Sequence, residues 1–140
     1  MKKTYALITG ASSGIGLQIA NNLASKGYNL ILTARREDRL LTIANEIAEK
    51  FDVKVDYISC DLSDIDAPKQ IFKFCLSRDY EVEILINNAG YGIATPFHET
   101  PMEVEEDFIR VLGTSVIALS KIFLPSMIER QSGKIMIVSS

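Results

Sequence analysis

Apolar and polar positions in this chain follow two alternating periods. Apolar runs of strand length occur near Tyr5 to Thr9, Asn29 to Thr33, Lys54 to Ser59, Glu83 to Asn87 and Lys134 to Ser139. Between them, apolar residues recur every three or four positions, which predicts helices near Gly14 to Lys26, Glu37 to Phe51, Ile65 to Arg78 and Met102 to Arg130. Strands and helices taking turns along a chain build a parallel sheet with crossover helices, so the fold class is α/β. The punctuation agrees. Gly27 and Gly133 fall where helix C-caps or the following turns are expected, and Ser63 or Asp64 can cap the third helix. Pro125 is expected to bend or end the last helix near Leu124. There is no repeat, linker or low-complexity segment, so residues 1–140 are read as one domain, large enough to bury roughly 68% of its unfolded surface.

The sharpest local feature is Thr9-Gly10-Ala11-Ser12-Ser13-Gly14-Ile15-Gly16, lying between the first strand and the first helix. A strand that turns sharply into a helix leaves amide N–H groups unpaired at the helix start, where the helix dipole favours negative charge. Gly10 and Gly14 suit the turn and the close approach of a ligand, and Gly16 suits tight packing of the helix on the strand. A phosphate-bearing ligand is the expected occupant, held by Gly10, Ser12, Ser13, Gly14, Ile15 and Gly16.

The second strand ends in Ala34-Arg35-Arg36, with Arg35 nineteen residues beyond Gly16, where a dinucleotide-binding unit contacts the adenosine ribose. A carboxylate there would bind both ribose hydroxyls and repel a 2′-phosphate; Ala34 does neither, and Arg35 offers phosphate a planar, permanently charged fork. NADP(H) is therefore favoured over NAD(H). The competing reading is a solvated arginine pair ahead of Glu37 and Asp38, or an arginine that holds the next helix. After the third strand, Asp61 suits either the adenine amino group or an N-cap or turn, and Leu62 can cover the ring.

The charge balance, 15 Lys and Arg against 18 Asp and Glu, gives no basic stripe for nucleic acid. Cys60 and Cys75 are too few for a disulfide framework, and with one histidine, His98, no metal site is expected. His98 reads as a surface loop residue. No uninterrupted apolar run approaches the ~20 residues that span a bilayer, and the first residues carry no signal-peptide core, so no membrane partner and a cytoplasmic location are expected.

With Asn87-Asn88-Ala89-Gly90 after the fourth strand, the glycine motif and Asp61-Leu62 make the chain resemble the short-chain dehydrogenase/reductase family over Lys3 to Ser140. The resemblance implies a doubly wound Rossmann fold with strand order 3-2-1-4-5. It implies that Asn88, Ala89 and Gly90 line the cofactor ribose and that Asn87 stabilises the central sheet. It further implies hydride transfer between NADP(H) and a small-molecule carbonyl or alcohol, with Ser140 as the catalytic serine that holds the substrate oxygen.

Two features depart from the family pattern. The Tyr-x-x-x-Lys motif that supplies the family's acid/base tyrosine does not occur in these 140 residues, and Tyr91 reads as a pocket wall instead. Leu112 stands where the family has an asparagine associated with a helix kink and a proton-relay water, although Gly113 can still loosen the helix. The chain therefore reads as the cofactor-binding portion of a reductase. The alternatives are a non-catalytic NADP(H)-binding module and a fragment that only associates with other subunits. The strand Ile135 to Val138 is expected to present an uncovered edge and face, which makes homo-oligomer formation plausible.

Overall fold

A computed structural model of the protein describes residues 3–139. Five parallel strands, β1 (Lys3–Thr9), β2 (Asn29–Ala34), β3 (Val55–Ser59), β4 (Tyr80–Asn87) and β5 (Lys134–Ile137), form one sheet in the order β3-β2-β1-β4-β5. Helices α1 (Gly14–Ser25) and α2 (Glu37–Phe51) cover one face, burying Ala20, Ala24, Leu40, Ile43, Ala44 and Ile47 against Ala6, Ile8, Leu30 and Leu32. Helices α3 (Ala67–Ser77) and α5 (Ser115–Arg130) cover the other, where Ile71, Cys75, Leu119, Phe123 and Met127 meet Tyr5, Leu7, Ile31 and Leu85. This is the doubly wound arrangement expected, and the period-2 alternation within β1 and β2 divides their side chains between the two layers.

Several boundaries differ from the sequence reading, each for a local reason. Strand β4 starts at Tyr80, three residues early. The charges of Glu81 and Glu83 disguise its start, but Arg130 answers both at 3.2 and 3.5 Å and donates to the Val82 carbonyl. A register shift against β1 falls opposite Glu83, which also accepts from the Ser132 hydroxyl. Helix α3 starts at Ala67 because the preceding polar residues are spent in turns: Asp61 accepts from the Ser63 N–H and Asp64 from the Asp66 N–H. Neither Ser63 nor Asp64 is the N-cap; that position is Asp66.

The last predicted helix is one helical run from Met102 to Arg130, composed of α4 (Met102–Ile109), a single π-turn over Arg110–Thr114, and α5. Pro125 does not end it. Pro125 and Lys121, whose carbonyl loses its helical donor, both lie on the exposed face, where water can satisfy that carbonyl. Contrary to the expectation drawn from uninterrupted apolar runs, Met102–Arg130 is long and apolar enough to cross a membrane by length and composition. In this fold its Ser115, Leu119, Phe123 and Met127, one per turn, are buried against the sheet. In the outer strand β5, Met136 and Ile137 are exposed while Ile135 packs against the core.

A second polar cluster lies at the amino ends of the strands. The Tyr80 hydroxyl donates to Asp56 Oδ2 at 2.8 Å, Arg78 Nε lies 3.1 Å from the same oxygen, and the Tyr5 and Tyr80 rings stack at 4.1 Å. Burial, assisted by the Asp56 carboxylate, pushes the Cys75 thiol up to about 12 from 9.0 and also raises Tyr5 and Tyr80. These acids keep their protons when folded and release them earlier when unfolded. Their contribution to stability is therefore complete below about pH 9 and is lost as pH rises toward 12. Denaturant midpoints are expected to fall between about pH 8 and about pH 10.5, with a shallower fall in Cys75→Ala. A midpoint indifferent to pH over that range would contradict this.

Candidate functional site

Strands β1 and β4 are neighbours, yet β1 leads into α1 on one face and β4 leads toward α5 on the other. Their loops diverge, and the crevice between them is where ligands sit in open α/β sheets. Here the carboxyl edge carries an open cleft of about 920 Å³, bounded by the glycine loop, Arg35, Asp61, Asn88, Leu112 and Ser139.

The glycine loop is shaped for close approach. Ser13 occupies the N-cap of α1 in extended conformation and makes no side-chain capping bond, leaving first-turn N–H groups for a ligand or water. Gly14 begins the helix at φ +56°, and a Cβ placed there would meet nothing within 4 Å, so the space above it is open. Gly16 is different. A Cβ there would lie 2.3 Å from the Gly10 carbonyl oxygen and 2.3 Å from Asn88 Nδ2. Its missing side chain thus serves contact between the helix start, its own loop and Asn88, rather than the helix-on-strand packing expected. Ser12 is buried while Ser13, Gly14 and Ile15 are exposed at the cleft.

A clamp joins this loop to the end of β4. The buried Thr9 hydroxyl accepts from the Asn88 and Ala89 N–H groups, both at 2.9 Å, and donates to the Ile86 carbonyl at 3.4 Å. Asn88 Nδ2 returns the link by donating to the Thr9 and Gly10 carbonyls, each at 3.1 Å. The structure places Asn88, Ala89 and Gly90 on the cleft wall, with the Asn88 amide nitrogen committed to the loop. Asn87 holds the sheet to α5 through Ser120 at 3.4 Å, while its Oδ1 is buried without a partner among the described residues.

At the far end of the cleft Arg35 and Arg36 are exposed, and neither forms an ion pair with a carboxylate among the described residues. Holding the neighbouring element falls instead to Arg39, in the first turns of α2, whose Nε donates to the Ser12 carbonyl at 2.5 Å. Nothing in the sequence distinguishes Arg39 from an ordinary exposed helix arginine. Asp61 Oδ1 accepts from the Ser63 N–H at 2.9 Å and hydroxyl at 2.8 Å, which favours the turn reading and holds its carboxyl below the usual range. It nonetheless borders the cleft beside Leu62, which is largely buried. Cys60, also on the wall, contacts the Thr33 hydroxyl at 2.9 Å, and burial raises its thiol.

The π-turn closes the other end. Arg110 anchors it by donating to the Ser63 carbonyl at 3.1 Å, and Ser115 Oγ donates back to Val111 at 2.7 Å. Helical irregularity at Leu112 is therefore kept without an asparagine, and Leu112 Cδ2 lies 2.7 Å from where a Gly90 Cβ would sit. Tyr91 lines the cleft with its ring edge-on to Phe108, as a wall residue should. His98 is exposed beside Glu99, in a single 3-10 turn, Phe97–Glu99, rather than the loop expected. Ser140 lies outside the described residues.

Known proteins share this arrangement. The chain is 36% identical over 138 residues to a very-long-chain 3-oxoacyl-CoA reductase of Candida glabrata, covering 92% of this chain and 39% of that protein. It is 34% identical over 140 residues to the inactive hydroxysteroid dehydrogenase-like protein 1 of Homo sapiens, covering 97% and 42%. Among solved structures, a short-chain dehydrogenase from Sphingobium yanoikuyae in complex with NADPH superimposes with TM-score 0.89 at 32% identity, over 99% of this chain and 54% of that one. The alcohol dehydrogenase of the archaeon Thermococcus sibiricus, complexed with 5-hydroxy-NADP, gives 0.89 at 37% identity, over 99% and 58%. The chain thus spans about two fifths of these curated relatives and little more than half of these solved chains. Residues 4–140 match the short chain dehydrogenase family, and with the strand order, the glycine loop and the Asn-Asn-Ala-Gly segment in place, the chain belongs to that family.

Proposed function

We propose that this chain binds NADP(H) along its carboxyl-edge cleft and forms the cofactor-holding part of a reductase acting on a small-molecule carbonyl or alcohol. The observation that carries this reading is the exposed Arg35 and Arg36 pair, which forms no close ion pair among the described residues, although Arg35 helps hold the Asp61 carboxyl low, and which shares the cleft with the open glycine loop. The residues fit the cofactor: the first-turn N–H groups of α1 have no capping side chain and the space around Gly14 is open, where a pyrophosphate would rest. Arg35 and Arg36 would hold the 2′-phosphate by charge-assisted bonds. Asp61 and Leu62 would flank the adenine, and Asn88, Ala89 and Gly90 the ribose. When bound, the nicotinamide supplies or accepts the hydride. Ser140 would hold the substrate oxygen.

One observation favours a second reading, a member that binds NADP(H) without turnover. Leu112, in the π-turn, presents an apolar side chain to the cleft beside Gly90, where no proton can be relayed through it. The relative from Homo sapiens described as inactive is consistent with such a member.

Fluorescence titration with NADPH and NADH tests the binding claim shared by both readings. The protein is expected to prefer NADPH, and Arg35→Asp is expected to weaken NADPH binding by at least about tenfold while NADH binding holds or improves. Equal losses for both would assign Arg35 to folding. Turnover of a carbonyl substrate by the whole protein then separates the two readings.

A further inference from the structure

Arg39 does not line the cleft, yet its side chain reaches the glycine loop. Its Nε donates to the Ser12 carbonyl, while the rest of its side chain borders the groove between α1 and α2 with Asn21, Thr42 and Glu46. Ser12 is the last buried residue before the exposed Ser13-Gly14-Ile15 tip, so its peptide sets the direction in which the tip emerges. Three other anchors hold the opening of the loop: the Ala11 N–H donates to the Thr33 carbonyl at 3.2 Å, and Asn88 Nδ2 holds Thr9 and Gly10. Beyond Ala11, the Arg39 bond is the one side-chain anchor on the loop found among the described residues. The Ser13 side chain makes no cap, and Gly14 sits at positive φ with empty space around it. A loop that must present several N–H groups to one anion needs its peptides fixed beforehand, or the ordering cost is charged against binding.

From this geometry we propose that Arg39 is a positioning residue for cofactor binding: its Nε–H bond to the Ser12 carbonyl pre-sets the phosphate-receiving tip, Ser13 to Ile15. The inference rests on the cofactor reading above. It assigns Arg39 a role different from that of Arg35 and Arg36, because a preorganised tip serves the pyrophosphate common to both dinucleotides. Loss of the bond should therefore weaken NADPH and NADH by the same factor.

Side-chain lengths make this testable. Glutamine places an amide nitrogen the same number of bonds from the backbone as arginine Nε, so Arg39→Gln keeps the donor and removes the charge. Arg39→Met keeps the length and removes both. In the whole protein, at a temperature where all variants are folded by circular dichroism, Arg39→Met is expected to raise the Kd for NADPH and for NADH about tenfold alike. Arg39→Gln is expected to remain within about twofold of the starting protein for both. Binding by Arg39→Met as tight as the unsubstituted protein's would overturn the proposal. So would an Arg39→Gln loss as large as that of Arg39→Met, or a loss confined to NADPH, since either would make charge the active property. If the unsubstituted protein bound neither dinucleotide, the cofactor reading itself would fail, and this role with it.

Discussion

The carboxyl ends of β1 and β4 meet at a single buried hydroxyl. Thr9 Oγ1 uses its one donor on the Ile86 carbonyl and its two acceptor positions on the Asn88 and Ala89 N–H groups, so its bonding capacity is filled. Asn88 closes the loop by donating back to Thr9 and Gly10. Ladder pairing holds β1 to β4 as far as Ile8 and Ile86, and beyond it, where the chains part toward opposite faces, side-chain bonds must hold the two loops together. The clamp does so, and it converts a divergence of two loops into a cleft with defined walls. Gly16 depends on it as well, since the helix start can approach the Gly10 carbonyl and Asn88 only where no side chain intervenes.

Around that clamp the cleft divides by chemistry. One end is cationic, with Arg35 and Arg36 exposed beyond β2; the middle is backbone, formed by the glycine loop and Asn88 to Gly90; the other end is apolar, where Leu112 and Tyr91 face the end of β5. A long ligand, anionic at one end and aromatic at the other, matches that sequence of surfaces. The π-turn contributes to the apolar end because it interrupts the helical register just where Arg110 and Ser115 supply replacement bonds.

The architecture was legible because its signals are regional. Alternation of strand and helix periods predicts the layers, and glycine spacing predicts the turn; neither depends on a single contact. What escaped the sequence were pairings between distant residues. Strand β4 begins at Tyr80, three residues ahead of the expected Glu83, and its Glu81 and Glu83 are neutralised by Arg130, almost fifty residues later. Helix α3 starts two residues after the expected Ile65 because Asp61 and Asp64 form turns rather than caps, a choice decided by local bonds that composition does not reveal. Pro125 does not end the helix, since the carbonyl it deprives lies on the exposed face. In the site, the glycine loop and the arginine pair were legible as charge and flexibility. Thr9 as a double acceptor, Asn88 as a brace and Arg39 as a loop anchor were not, because threonine, asparagine and arginine acquire those roles only from what the fold sets beside them.

The Thr9 hydroxyl has a clamping role, joining the two walls of the cleft. That role is tested most directly by NADPH affinity in Thr9→Val, which preserves shape and leaves the Asn88 and Ala89 N–H groups without their acceptor, measured against Thr9→Ser, which restores it. Valine is expected to weaken NADPH binding by more than about tenfold in protein that is still folded, and serine to recover most of the loss. Valine-substituted protein that binds NADPH as tightly as the original would contradict it.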